Sequence, residues 1–213
     1  MALVRSCSYY WRIRYCIFNM RADTGLVLKV VTFAAEKHRN QRRKDPDASP
    51  YINHPIALAN VLLHEAGVTD VVVLCAALLH DTLEDTQTTP AELARHFGTE
   101  IQGIVMEVTD NKKLKKRKRK ELQMKHASVL STRAKLVKLA DKICNLRDVA
   151  AHPPLNWPLR RRIEYFDWAK TVVDGMRGVH PRLEALFDEV YAERPAAQRW
   201  QRHSKPAVRR PRG

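Results

Sequence analysis

Four side chains able to do chemistry fall within six positions of this chain: His80, Asp81, Glu84 and Asp85, at the end of the run VVVLCAALLHDTLED at 71–85. If the run is one helix, His80 and Glu84 are four apart, Asp81 and Glu84 three, and Asp81 and Asp85 four, so all share one face. The preceding stretch, Val71 to Leu79, is apolar all round, which marks a buried helix. Three carboxylates at its inner end raise one another's pKa or require a cation. A bound divalent metal is the simplest compensation.

Two distant residues are candidates to complete such a site. His54 precedes Pro55 at a loop-to-helix junction, a position that can aim a side chain inward. Asp141 lies on the apolar stripe of its helix with Val137, Ala140 and Cys144, none of which offers it a charge. It needs a buried partner. Bland alternatives stand beside these readings: His54 as a structural histidine, and Asp141 paired with Lys138, three residues back. Two His and two Asp together make a mixed nitrogen–oxygen site suited to Mn²⁺, Fe²⁺ or Zn²⁺, with waters completing an open shell. Glu84 and Asp85 then sit one turn beyond, where a general base belongs.

The elements that position these residues all read as helices. Apolar periodicity begins at Leu26. A polar loop with Pro46 and Pro50 leads to a helix entered through Pro55 and stopped by Gly67. Thr69 or Asp70 can cap the central helix, and Thr89-Pro90-Ala91-Glu92 reads as a capping box. Further helices are expected over 100–109, 121–130, 133–149, 160–176 and 181–192, with a polar basic segment at 110–120. Strand signals are absent. The expectation is an all-α bundle of roughly eight to ten helices over 26–193, flanked by basic extensions at 1–25 and 194–213.

The chain has 213 residues and a formal net charge of +15. Residues 1–25, 112–120 and 194–213 carry the entire excess, and the remainder is slightly acidic. A continuous nucleic-acid-binding face is not expected from that distribution. The run at 112–120 reads as a solvated face, an electrostatic funnel for a polyanionic nucleotide or a nuclear localisation patch. No stretch approaches the ~20 apolar residues of a membrane helix. Four cysteines without paired spacing point to a reduced, cytoplasmic setting. The Arg-rich, acid-free residues 1–22 keep a mitochondrial presequence open as an alternative.

INHP at 52–55, LLHDTLED at 78–85 and KLADKICNLRD at 138–148 together resemble the signatures of the HD-domain metal-dependent phosphohydrolases. The wider pattern from about Val30 to Tyr191 resembles the RelA/SpoT-type alarmone hydrolases, in particular their short stand-alone metazoan members. The resemblance implies an HD-domain helical bundle. It implies His54, His80, Asp81 and Asp141 as ligands of one Mn²⁺ and Glu84 and Asp85 as the catalytic acidic pair. Arg43, Lys44, Lys116, Asn145, Arg161 and Tyr165 match substrate contacts. The implied reaction removes the 3′-diphosphate of guanosine 3′,5′-bis(diphosphate), ppGpp. Removal of the 2′-phosphate of NADPH at the same site is the alternative, and an inactive HD fold that binds nucleic acid is the rival from another class.

Overall fold

Asp70 starts the helix that anchors the fold. Its carboxylate accepts the free amide protons of Val72 (3.0 Å) and Val73 (3.4 Å) at the N-terminus of α3, Val71–Leu79. From Val73 to Leu79 every side chain of α3 is buried. The computed structural model describes residues 23–196. Within them α1 spans 23–38, and α2, Asn53–Asn60, runs on through one π-helical turn, Val61–Glu65. Gly67, at φ 73°, ends it in a conformation that disfavours any other residue.

Three helices close around α3: α2, α6 (Thr99–Val108) and the long α8 (Thr132–Ala151). α5 (Pro90–Phe97) covers α6, while α9 (Leu159–Asp174) and α10 (Pro181–Ala192) cover α8. Thr89 caps α5 as expected, accepting the Glu92 amide proton. The Glu92 carboxylate also pairs with Lys37 at 2.8 Å. Among the described residues the only β-pairing is an isolated bridge between Arg42 and Pro50. The fold class is all-α.

Two expectations are corrected. Residues 71–85 are not one helix: α3 stops at Leu79 and a short α4, Thr82–Asp85, begins after a turn at His80 and Asp81. The cause is local competition for backbone acceptors. His80 Nδ1 donates to the Ala77 carbonyl (2.8 Å), and the Thr82 hydroxyl donates to that of Leu79 (2.6 Å). The second correction concerns the basic run. Helix α7 spans Lys116–His126, so it begins inside the run, five residues before the expected start at 121. α7 buries none of its side chains fully and packs on α9. The expectations for residues 1–22 and 197–213 lie outside the described residues.

Candidate active site

The turn at the end of α3 delivers His80 and Asp81, the start of α2 delivers His54, and the middle of α8 delivers Asp141. Ligand atoms of His54, His80 and Asp81 all lie within 4.8 Å of one another, a spacing that can hold a metal ion. Asp141 closes on both histidines from α8. Its Oδ1 is 3.3 Å from His54 Nε2 and 3.9 Å from His80 Nε2.

The donor chemistry fits a divalent cation. A carbonyl can only accept, so His80 Nδ1 must carry the proton that goes to Ala77, and Nε2 is the nitrogen that faces the site. That nitrogen is buried and lacks an aligned hydrogen-bond partner, although Asp81 Oδ2 is only 2.9 Å away. Burial disfavours a charged His80, but the Asp81 and Asp141 carboxylates outweigh it and raise its pKa to about 9. Asp81 and Asp141 are held below the usual carboxylate range. In each case neighbouring positive charge overcomes the opposing effect of burial, from His80 for Asp81 and from Lys142 for Asp141. Burial lowers the pKa of His54, which stays neutral. The site is thus a negative position for which a proton and a metal cation are alternative occupants.

The acidic pair beside it is bridged and buttressed. The Tyr51 hydroxyl reaches Asp81 Oδ2 at 2.6 Å and Asp85 Oδ2 at 3.1 Å. Its ring stacks on buried His38, centroids 4.9 Å apart. Lys112 pairs with Asp85. Arg119 donates to Glu84 Oε1 at 3.0 Å, while the Asp110 amide donates to Glu84 Oε2 at 3.3 Å. Burial, followed by the charges of Asp110 and Asp81, raises the Glu84 pKa above the ordinary carboxylate value.

These groups line a cavity of about 220 Å³. A second cavity of about 570 Å³ adjoins it, sharing Arg43, Tyr51, Asp85, Lys116, Asn145 and Tyr165 in its walls. The inner chamber holds the histidines and carboxylates against cations of α7 and α8. The outer one is lined by Arg42, Lys44, Lys112, His152 and Trp157 among others.

The HD domain family's sequence model matches residues 31–164. The chain belongs to the HD-domain family. It is 53% identical over 178 residues to the guanosine-3′,5′-bis(diphosphate) 3′-pyrophosphohydrolase MESH1 of Xenopus tropicalis, covering 84% of this chain and 99% of that protein. To the Homo sapiens protein of the same name it is 51% identical over 175 residues, covering 82% and 98%. A solved structure described as a metazoan ortholog of SpoT that hydrolyzes ppGpp superposes with a TM-score of 0.77 at 48% identity, covering 79% of this chain and 95% of that one.

Most of the residues singled out in the sequence come together in this HD domain, but not all in the expected way. Asp141 does not pair with Lys138, whose ammonium donates instead to the Val108 carbonyl at 2.9 Å. Its partners are His54, Lys142 (3.0 Å) and Asn145 (2.5 Å). Arg43 is committed to Asp148 at 2.5 Å and to Asn145 at 3.3 Å, so it forms a wall and not a free clamp. Lys44 is exposed at the outer cavity. Lys116 and Tyr165 line both cavities. Arg161 lines neither, and its guanidinium lies 4.4 Å over the Trp157 ring. Sequence reasoning missed Tyr51, Asp110, Lys142 and Trp168. Only Tyr51 carried a signal, a polar aromatic three residues before His54.

Proposed function

We propose that this protein hydrolyses the 3′-diphosphate of ppGpp to GDP and pyrophosphate, with Mn²⁺ held by His54, His80, Asp81 and Asp141. The observation that carries this reading is the orientation of the His80 ring. Its Nδ1 is tied to the backbone and its Nε2 opens toward two carboxylates and a second imidazole. Relatives at about half identity along nearly their full length carry the name of that activity.

A bound divalent ion supplies a water of lowered pKa and polarises the phosphoryl oxygen. The protein's own groups do the rest. Glu84, with its raised pKa, accepts the proton of the attacking water. Asp85, fixed by Tyr51 and Lys112, orients that water. The water oxygen bonds to the phosphorus next to the ribose, the bond from that phosphorus to the 3′-oxygen breaks, and a proton ends on the 3′-oxygen. The nucleoside occupies the outer chamber between Tyr165, Trp157 and the Arg43 wall, with Lys116 and Lys44 facing its 5′-diphosphate.

The rival reading, a silent nucleic-acid-binding fold, is opposed by the disposition of the basic run. Lys112 pairs with Asp85, and Lys116, Arg119 and Lys120 line the inner cavity. Cys75 and Cys144 are buried free thiols, which suits a reducing cytoplasmic setting. Among the described residues no helix is long and apolar enough to cross a membrane.

The test is turnover of ppGpp by the Mn²⁺-loaded protein and by Asp81→Ala. Pyrophosphate release that disappears in the variant is expected. A wild type without turnover, or an Asp81→Ala protein as active as wild type, overturns the proposal.

A further inference from the structure

The inner chamber contains more positive charge than its carboxylates use. Six cationic side chains line it: Arg43, Lys116, Arg119, Lys120, Lys138 and Lys142. Four are spoken for, Arg43 by Asp148, Arg119 by Glu84, Lys138 by the Val108 carbonyl and Lys142 by Asp141. Lys116 and Lys120, one turn apart on α7, form no ion pair and no side-chain hydrogen bond among the described residues. Lys116 opens to both chambers and serves the 5′ end in the reading above. Lys120 opens only to the inner one.

Lys120 is also held in place. Its ammonium lies 4.4 Å from the Trp168 ring centroid and 5.2 Å from that of Tyr165. The Trp168 indole N–H donates to the Lys120 carbonyl at 3.2 Å, fixing the backbone below it. Lys142 also reaches the Trp168 ring, its ammonium 4.5 Å from the centroid. Glu164, the acid that acts on Lys120 through space, pairs with Arg160 at 2.7 Å. Aromatic faces offset part of the desolvation of a cation, but they do not neutralise it. Burial, with Lys116 and Lys142 close by, pushes the Lys120 pKa down to about 8. An anion entering the chamber meets a preformed, unpaired ammonium.

We infer that Lys120 forms a subsite for the outer phosphoryl group of a ribose diphosphate ester, and so sets the preference for diphosphate over monophosphate esters. This rests on the proposed hydrolysis, which places the inner phosphoryl group at the histidine–carboxylate cluster. A cavity of about 220 Å³ has room for several waters, and so for a group beside the one at the cluster. The outer group lies across the chamber on the α7 wall and leaves as the distal half of pyrophosphate. A monophosphate ester has nothing to offer Lys120.

The experiment uses the Mn²⁺-loaded full chain turning over ppGpp, with inorganic pyrophosphate and inorganic phosphate as competitive inhibitors at fixed free Mn²⁺. Wild type should bind pyrophosphate more tightly than phosphate. In Lys120→Met the ratio of the two inhibition constants should shrink tenfold or more, and Lys120→Arg should restore most of it. Because both constants are read from the same active molecules, a misfolded fraction does not alter the ratio. An unchanged ratio in Lys120→Met overturns the inference while leaving the hydrolysis intact, whereas absence of ppGpp turnover by wild type is a failure of the hydrolase reading itself.

Discussion

The Tyr51 hydroxyl donates to Asp81 at 2.6 Å and stands 3.1 Å from Asp85, so one phenol ties a residue of the histidine–carboxylate cluster to one of the acidic pair. It is backed by the stacked ring of His38 and by the Arg43 guanidinium, 5.5 Å from its ring centroid. Hydrogen bonds to charged groups contribute about 1.5–3 kcal/mol, and each 1.4 kcal/mol is tenfold. Tyr51→Phe should therefore lower kcat by about 10- to 100-fold, with KM for ppGpp changed much less and Mn²⁺ stoichiometry kept. Steady-state kinetics beside metal analysis checks this. A kcat equal to wild type would remove Tyr51 from the account.

Metal loading should release protons. His80, with a pKa of about 9, is charged at pH 7.5, and a metal ligand must be neutral. His54 is already neutral, and Asp81 and Asp141 are already ionised. Binding of Mn²⁺ at pH 7.5 should thus expel close to one proton per site. Affinity should rise with pH and level off above about pH 9, where His80 is neutral without the metal. Calorimetry in two buffers of different ionisation enthalpy measures the proton count. A value near zero contradicts the assignment of His80.

The acid limb of the pH–rate profile should report Glu84. Its pKa is raised by burial first, then by Asp110 and Asp81, so the ionised base is lost at a higher pH than for an ordinary glutamate. Asp110→Asn removes one neighbouring charge and keeps the amide that donates to Glu84. The base then stays ionised to lower pH, and the acid limb of kcat moves down. A limb that stays put, or moves up, assigns the proton transfer to another group.

Stability should depend on the apolar part of α3. Leu79 is fully buried beside His80. Leu79→Ala is expected to destabilise by about 2–5 kcal/mol. In a chain of this size that lowers the melting temperature by about 5–15 °C. A change under 1 °C in a thermal melt would show that the chain collapses onto the gap.

The helices were legible wherever a local signal ends them: Asp70, Thr89 and Pro181 stand at observed N-termini, and Gly67 and Gly98 mark stops. The cluster was legible because His80, Asp81 and Asp141 are each a polar exception in an apolar pattern. What was not legible depends on contacts distant in sequence. Helix spacing favours Lys138 as the partner of Asp141, and only the Val108 carbonyl at the end of α6 draws it away and leaves Asp141 to Lys142. The helical start inside the basic run depends on Trp157, Tyr165 and Trp168, whose rings receive Lys116 and Lys120. The break after Leu79 reflects side chains of His80 and Thr82 competing for carbonyls, which apolar periodicity does not encode.

The central claim, water attack on the phosphorus next to the ribose at the His54–His80–Asp81 cluster, is most directly tested by turnover of ppGpp with Mn²⁺ in oxygen-18-labelled water, with both products analysed by mass spectrometry. The account predicts one labelled oxygen in the pyrophosphate and none in the GDP. Label on the 3′-oxygen of GDP, or no pyrophosphate at all, would contradict it.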